Sequence, residues 1–257
     1  MDDIKIEKLY AEYSPPIYRL AYQMSGDEEI AKDVLQETFI KVMENISKFR
    51  SESSYFTWIY KIARNLCIDK LKRQRKRPIA ALEKIIESQN RVPHEDKYGE
   101  LEKRFYVNQV KDGCLLGVLR CLSFNQRMAF ILNAVLFVQA KDVAVILNKT
   151  ENAARILAHR ARKIIKKFLC SNCSLYGISG KCKCENMINF SLSKNLIEKY
   201  NSSVSPSNTE TEIKALKNEI LMFQSVSPRK PESDFKSIIN NYIDGSEHLI
   251  FSEKKVK

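Results

Sequence analysis

Cys170, Cys173, Cys182 and Cys184 crowd into one short stretch as C-x₂-C followed by C-x-C, with Gly177 and Gly180 between the pairs. Zinc takes four thiolates at tetrahedral corners, and a glycine-containing loop lets two short half-sites meet. On the residues alone three readings stay open: a structural zinc on these four thiols, a thiol redox sensor, or no special role. No other metal or covalent chemistry is visible. The chain has no Walker-type Gly-x-x-x-x-Gly-Lys loop, no paired-carboxylate metal motif and no nucleophile–base set. His94 and His248 lack a ligand or catalytic setting. The expectation is a protein that binds rather than catalyses, with no cofactor required for its main task.

A second group of residues suits nucleic acid. Tyr55, Phe56 and Trp58 open a helical pattern in which Ile59, Ile62, Ala63 and Leu66 form the apolar stripe. Trp58, Lys61, Asn65, Asp69 and Lys72 share a neighbouring face. Aromatic rings stack on single-stranded bases, roughly 1–3 kcal/mol each, and an Asn amide can read a base edge. The same aromatics also suit an ordinary core, and their spacing does not choose. The run Lys70, Lys72, Arg73, Arg75, Lys76 and Arg77 attracts phosphates without reading sequence. Immediately before this helix the apolar positions Ile30, Val34, Leu35, Thr38, Val42 and Ile46 follow helical spacing, and the other side carries Asp33, Glu37, Lys41 and Glu44.

Further along, Lys141–Leu147 and Glu151–Leu169 read as two helices joined by Asn148-Lys149-Thr150, a helix-turn-helix pattern. Ala154, Ala158, Ala161 and Ile165 are expected inside. Lys149, Asn152, Arg155, Ile156, His159, Arg160 and Lys163 are expected outside, where they would face a major groove. A plain helical hairpin fits the same spacing.

The elements that must position these groups are helical. Gly and Pro number only 7 each, which disfavours sandwiches and barrels. The net charge of +12, from 43 Lys+Arg against 31 Asp+Glu in 257 residues, favours a polyanionic partner. Asp2, Asp3, Lys5 and Glu7 interrupt any leader-like apolar run, and no segment is apolar enough to span a bilayer, so a cytoplasmic protein without membrane insertion is expected. Residues 4–24 read as a helix pair interrupted at Pro15-Pro16. Residues 78–113 read as a linker with one short helix near Ala80–Glu87, and a compact unit begins near Cys114. Ser123-Phe124-Asn125-Gln126 fits a capping box for a helix running through Val135. Past Asn186 the composition loosens, with a linker at 201–208 and helical patterns at 210–224 and 234–243.

Several words in this sequence resemble the extracytoplasmic-function sigma factors of bacterial RNA polymerase. In the first part they are Tyr18-Arg19-Leu20-Ala21, Gly26-Asp27, Ala31 to Phe39, Phe49-Arg50 and Thr57 to Asn65; in the second, Leu122, Arg127, Asp142-Val143-Ala144 and His159-Arg160-Ala161-Arg162. The resemblance implies an all-α protein of two small helical domains joined by a linker, the second a helix-turn-helix, with a partly helical C-terminal extension. The implied divisions are region 2 at 1–77, linker at 78–113, region 4 at 114–169, and the cysteine cluster with the extension at 170–257. It implies that Asp33, Gln36, Glu37 and Phe39 dock on core RNA polymerase. Tyr55, Phe56, Trp58, Lys61, Arg64, Asn65, Lys72 and Arg73 would melt and hold the minus-ten element of promoter DNA. The helix-turn-helix would read the minus-thirty-five duplex, and an anti-sigma factor is a further candidate partner. The competing reading is a stand-alone helix-turn-helix regulator without polymerase partnership.

Overall fold

A computed structural model describes residues 2–49, 54–74, 76–90, 97–177, 180–201 and 218–228. Among the described residues the secondary structure is helical, without a strand: α1 (Asp2–Ser25), α2 (Glu28–Asn45), α3 (Tyr55–Leu71), α4 (Ile79–Asn90), α5 (Glu100–Arg120), α6 (Phe124–Phe130), α7 (Ala140–Leu147), α8 (Glu151–Asn172), α9 (Ile188–Ser193) and α10 (Glu219–Ser225). The chain divides into two units. One is built on Met1–Gln74 and Lys141–Thr150, the other on Arg75–Ala140 and Glu151–Val226.

In the first unit α1, α2 and α3 pack on one another. Each helix contributes an apolar stripe: Leu9, Ile17, Leu20 and Met24; Ala31, Val34, Leu35, Phe39 and Val42; Ile59, Tyr60, Ala63 and Leu66, all buried. The α1–α2 corner is set by three adjacent residues. Gly26 takes a left-handed φ of 70°, which costs glycine least. The Ser25 hydroxyl donates to the Ala21 carbonyl at 2.8 Å, and Asp27 accepts from the Ile30 N–H at 3.0 Å to cap α2. Ser54 caps α3 in the same way, through the Thr57 N–H.

The expected break at Pro15-Pro16 is corrected: both prolines lie inside one continuous α1. Proline inside a helix removes hydrogen bonds and costs about 3 kcal/mol or more. Here Ile6 and Leu9 before the pair and Ile17 and Leu20 after it are anchored in the same core, which carries the helix through the defect. Phe39 is fully buried, with its ring 4.7 Å from that of Tyr10. Phe39→Ala is expected to destabilise this unit by about 3–5 kcal/mol in urea titration, the usual cost of emptying an aromatic core site.

In the second unit α6 packs on α8, where Ala154, Ala158, Ala161, Ile165, Phe168 and Leu169 are buried. Ser123 and Gln126 form the expected capping box of α6. That helix stops at Phe130, earlier than expected, and passes into a π-helical turn over Ile131–Val135. Phe137 follows with a φ of 57° and an exposed ring.

The stretch 78–113, read as a linker, carries α4 and most of α5, and α5 begins at Glu100 rather than near Cys114. Its N-terminal half folds because distant residues cover it. Tyr106 and Val110 bury against Ile188, flanked by Tyr98, Phe105, Cys184, Met187 and Leu192. The Tyr98 hydroxyl donates to Asn189 at 2.6 Å, and Gln109 bonds the Glu198 backbone in both directions, at 2.9 and 3.2 Å. The start of the C-terminal extension thus forms a small satellite core with α5.

The last described element, α10, overlaps the end of the helical pattern expected at 210–224. Residues 202–217 and the pattern at 234–243 fall outside the described residues. Met222, Phe223 and Val226 are buried, and the Phe223 ring meets Phe130 edge-on at 5.1 Å. No helix among the described residues is long and apolar enough to cross a membrane.

Candidate nucleic-acid interface

The first unit presents two opposed kinds of charge and an aromatic group. At the N-terminal end of α3, Tyr55 stacks on Phe49 with centroids 4.3 Å apart, and Phe49 meets Trp58 at 5.0 Å. Tyr55 and Trp58 lie edge-on at 6.4 Å. All three rings are half-exposed. The short 3₁₀ turn Ile46–Lys48 delivers Phe49 to this place. Phe49 stood among the words of the resemblance without an assigned role, and no α3 periodicity reaches back to it.

Phe56 belongs elsewhere. Its ring packs on Tyr60 at 4.5 Å and approaches Tyr13 at 6.2 Å, towards the core. Burial pushes the Tyr60 hydroxyl well above its ordinary range, with the Tyr13 charge adding to it. The structure therefore separates Phe56 from the Tyr55–Trp58 pair with which it was grouped.

Beyond the rings, α3 carries Lys61 and Arg64 half-buried and Asn65 exposed; Lys72 and Arg73 follow exposed at its C-terminal end. Arg64 donates to the Asn65 side-chain oxygen at 2.8 Å, which fixes the amide's orientation. Lys72 pairs with Asp69 at 2.7 Å, both well exposed. Arg75 lies outside the described residues.

Lys70, read from the sequence as part of the phosphate-attracting run, is turned to α2. Its ammonium lies 3.0 Å from Asp33 and 2.6 Å from Glu37. Its hydrogen bonds to the Glu37 carboxylate, and then to that of Asp33, raise its pKa above the ordinary lysine value. The acidic face of α2 and the basic end of α3 are thus cross-linked, and Gln36 lies half-buried between the two acids in sequence. Phe39, grouped with these residues as a docking contact, is instead a core residue that positions α2.

On α8 the expected division holds residue by residue. Asn152, Arg155, Ile156, His159, Arg160 and Lys163 fall outside the buried set, and the four small or apolar residues expected inside are buried. Arg155 donates through Nε to Glu151 at 3.1 Å, one turn earlier. Lys149 is exposed in the turn after α7, where Asn148 takes a φ of 54° and the Lys149 N–H bonds the Ala144 carbonyl. Arg162, not singled out as a site residue, bonds the buried Glu219 carboxylate at 2.9 and 3.3 Å, and the Tyr176 hydroxyl bonds its second oxygen at 2.9 Å. Burial raises the Glu219 carboxyl, but these bonds outweigh it and the net shift is downward.

The cysteines divide as well. Cys173 and Cys182 lie side by side in an isolated parallel bridge, held by the Cys182 N–H on the Asn172 carbonyl at 2.9 Å and the Ser174 N–H on the Cys182 carbonyl at 3.1 Å. Burial pushes the Cys182 thiol up to about 11 and the Cys184 thiol up to about 12, with the Cys173 charge contributing to both. Cys170 lies on α8, one turn before Cys173. Among the described residues, no group of three or more His, Cys, Asp or Glu side chains is arranged to hold a metal ion.

Comparison with known proteins agrees with this anatomy. The family model for sigma-70 region 2 matches residues 9–77, and that for sigma-70 region 4 matches residues 112–165. The ECF RNA polymerase sigma factor SigE of Mycolicibacterium smegmatis is 26% identical over 65% of this chain and 63% of its own length. RNA polymerase sigma factor YlaC of Bacillus subtilis is 28% identical over 63% of this chain and 90% of its own. The chain therefore spans less than two thirds of the mycobacterial relative. A solved structure of the sigma factor RpoE with the anti-sigma factor NepR from Bartonella quintana aligns with 66% of this chain and 98% of its own, at 20% identity and a TM-score of 0.46. The region 2 match runs through α1, α2 and α3, and the region 4 match runs from the end of α5 into α8. With sigma-70 region 2 matched at residues 9–77 and sigma-70 region 4 at residues 112–165, the chain is similar to extracytoplasmic-function sigma factors.

Proposed function

We propose that this protein binds core RNA polymerase and directs it to promoters, where it opens the DNA and starts transcription. One observation carries the reading. A single three-helix unit presents acids on α2, a half-exposed aromatic trio at the head of α3 and basic residues at its tail. Asp33, Gln36 and Glu37 dock on the polymerase. Tyr55 and Trp58, supported by Phe49, take unstacked bases of the minus-ten non-template strand. Lys61, Arg64, Asn65, Lys72 and Arg73 hold its backbone and base edges. Extracting a base from the duplex costs a few kcal/mol, which stacking on an exposed ring can return.

The face of α8 made by Asn152, Arg155, His159, Arg160 and Lys163, with Lys149 before it, reads the minus-thirty-five duplex. Neutralising Arg155 and Arg160 together is expected to weaken duplex binding at all sequences. The slope of log affinity against log salt should flatten by about 0.9 for each phosphate that is no longer neutralised, as measured by fluorescence anisotropy. The binding units are region 2 over 1–77 and region 4 over 114–169, with 78–113 between them and 170–257 as an extension.

The work is done in the cytoplasm, with an anti-sigma factor as a candidate partner. The chain carries out no covalent step, and transcription needs no cofactor from it. The C-terminal cysteine cluster holds a structural zinc in this account, since four thiols are a complete donor set for that metal. The experiment is to mix purified full-length protein with core polymerase. Co-elution and transcripts from discrete start sites are expected. A folded protein that binds duplex DNA but never the polymerase would instead be a stand-alone regulator.

A further inference from the structure

The helix α10 is seated on the second unit by one apolar face and one charge. Met222, Phe223 and Val226 are buried, with Phe223 edge-on to Phe130 of α6. Asn218 caps the helix by accepting from the Ile220 N–H at 2.9 Å. Helices shorter than about 12 residues are marginal on their own in water, so the seat is what keeps α10 helical. Glu219 in its first turn is buried, and a carboxylate seldom goes so deep unpaired. Arg162 donates to one of its oxygens through both Nε and Nη2, and the Tyr176 hydroxyl donates to the other. The turn carrying Tyr176 is tight. Its N–H and that of Gly177 both bond the Cys173 carbonyl, and a side chain at Gly177 would come within 2.7 Å of the Cys170 carbonyl oxygen.

Arg162 belongs at the same time to a row of cations on α8. Arg155, His159, Arg162 and Lys166 follow one another three or four positions apart and are all exposed, so they line one edge of the helix. Arg155 and His159 are part of the face assigned above to duplex DNA. A guanidinium in that row presents a fork that suits a phosphate as well as a carboxylate. Glu219 is the oxyanion that occupies it. We propose that α10 is a latch on the DNA-reading helix: Glu219 withholds Arg162 from the phosphate backbone of duplex DNA, and release of α10 returns it. The proposal rests on the reading of α8 as a duplex-binding helix and adds a residue and a control to it. A phosphate that took Arg162 from a seated α10 would leave the buried carboxylate without its cation, which is unfavourable. DNA at Arg162 and α10 in its seat therefore exclude each other, and each weakens the other by the same factor. The latch sets affinity and not sequence preference, because a phosphate contact carries no base information.

The test is fluorescence anisotropy of the full-length protein on a labelled mixed-sequence DNA duplex over a range of salt, with circular dichroism to check folding. Glu219→Gln keeps the size of the side chain and removes its charge. It is expected to bind about 5-fold tighter or more, the lower end of coupling between two sites. Its slope of log affinity against log salt should steepen by about 0.9, the signature of one further phosphate. Phe223→Ala releases α10 from its apolar side without altering any charge, and the same gain is expected from it. Arg162→Ala alone should leave the native affinity and slope unchanged, because the latch already holds that guanidinium, yet it should erase the gain of either variant. Unchanged affinity and slope in folded Glu219→Gln overturns the latch and leaves Glu219 as an anchor of α10. Additive effects, with Arg162→Ala weakening native binding as much as Glu219→Gln strengthens it, also overturn it, since net charge alone would then be at work. A native protein without salt-dependent affinity for the duplex overturns the reading of α8 on which the latch rests.

Discussion

Replacing Trp58 by alanine is expected to leave polymerase binding intact and to slow promoter opening by about 5- to 150-fold, the equivalent of one missing stacking platform at roughly 1–3 kcal/mol. The indole is half-exposed and braced by Phe49 and Tyr55, so its removal takes away a prepared surface and little core. Phe49→Ala should produce a smaller defect in the same step, because Phe49 holds both other rings. Phe56→Ala should behave differently. Phe56 packs on Tyr60, and its loss should lower stability before it alters opening. The discriminating template is a promoter with a pre-opened minus-ten segment. Trp58→Ala should recover most of its activity there, since the energetic cost of opening has been supplied. An equal defect on the closed and pre-opened templates would mean that Trp58 acts in folding or docking.

Reversing the acids, with Asp33→Lys and Glu37→Lys together, is expected to abolish polymerase binding. Removing charge pairs that become buried at an interface costs about 2–5 kcal/mol each, on the order of 30-fold and upward in affinity. The bridge to Lys70 provides the control. Both acids touch Lys70, so reversal removes two intramolecular pairs and sets three like charges together. The pairs are partly exposed, and exposed pairs contribute only about 0–1 kcal/mol to stability, so the unit should stay folded. Lys70→Ala removes the same pairs while keeping the acids. It should bind polymerase at least as well as the native protein, with carboxylates now available to the partner. If Lys70→Ala loses binding as completely as the double reversal, the bridge itself rather than the acidic surface is what docking requires. Size-exclusion co-elution at graded salt measures all three proteins.

Much of this arrangement is legible in the sequence wherever a residue's role is decided by its own helix. The stripe Ala154, Ala158, Ala161 and Ile165 and the opposite face of Asn152, Arg155 and His159 follow from a 3.6-residue period. The same holds for Val34, Leu35, Thr38 and Val42 against Asp33 and Glu37. What periodicity does not reveal is set by partners far along the chain. Pro15-Pro16 looks like a break because the core that carries α1 through it comes from other helices. The 78–113 stretch looks unstructured because Tyr106 and Val110 find their partner in Ile188. Lys70 looks like a phosphate contact because Asp33 and Glu37 precede it by more than thirty positions. Phe49 sits outside the α3 pattern whose aromatic group it completes.

The most direct test of promoter opening by this protein is permanganate probing of thymines on a cognate promoter with core polymerase added. With the native protein, thymines of the minus-ten non-template strand should become reactive in a complex that resists heparin, and Trp58→Ala should delay their appearance. Tight polymerase binding with the duplex left unreactive, at a promoter that the protein occupies, would contradict the assignment of the Phe49–Tyr55–Trp58 surface to DNA melting.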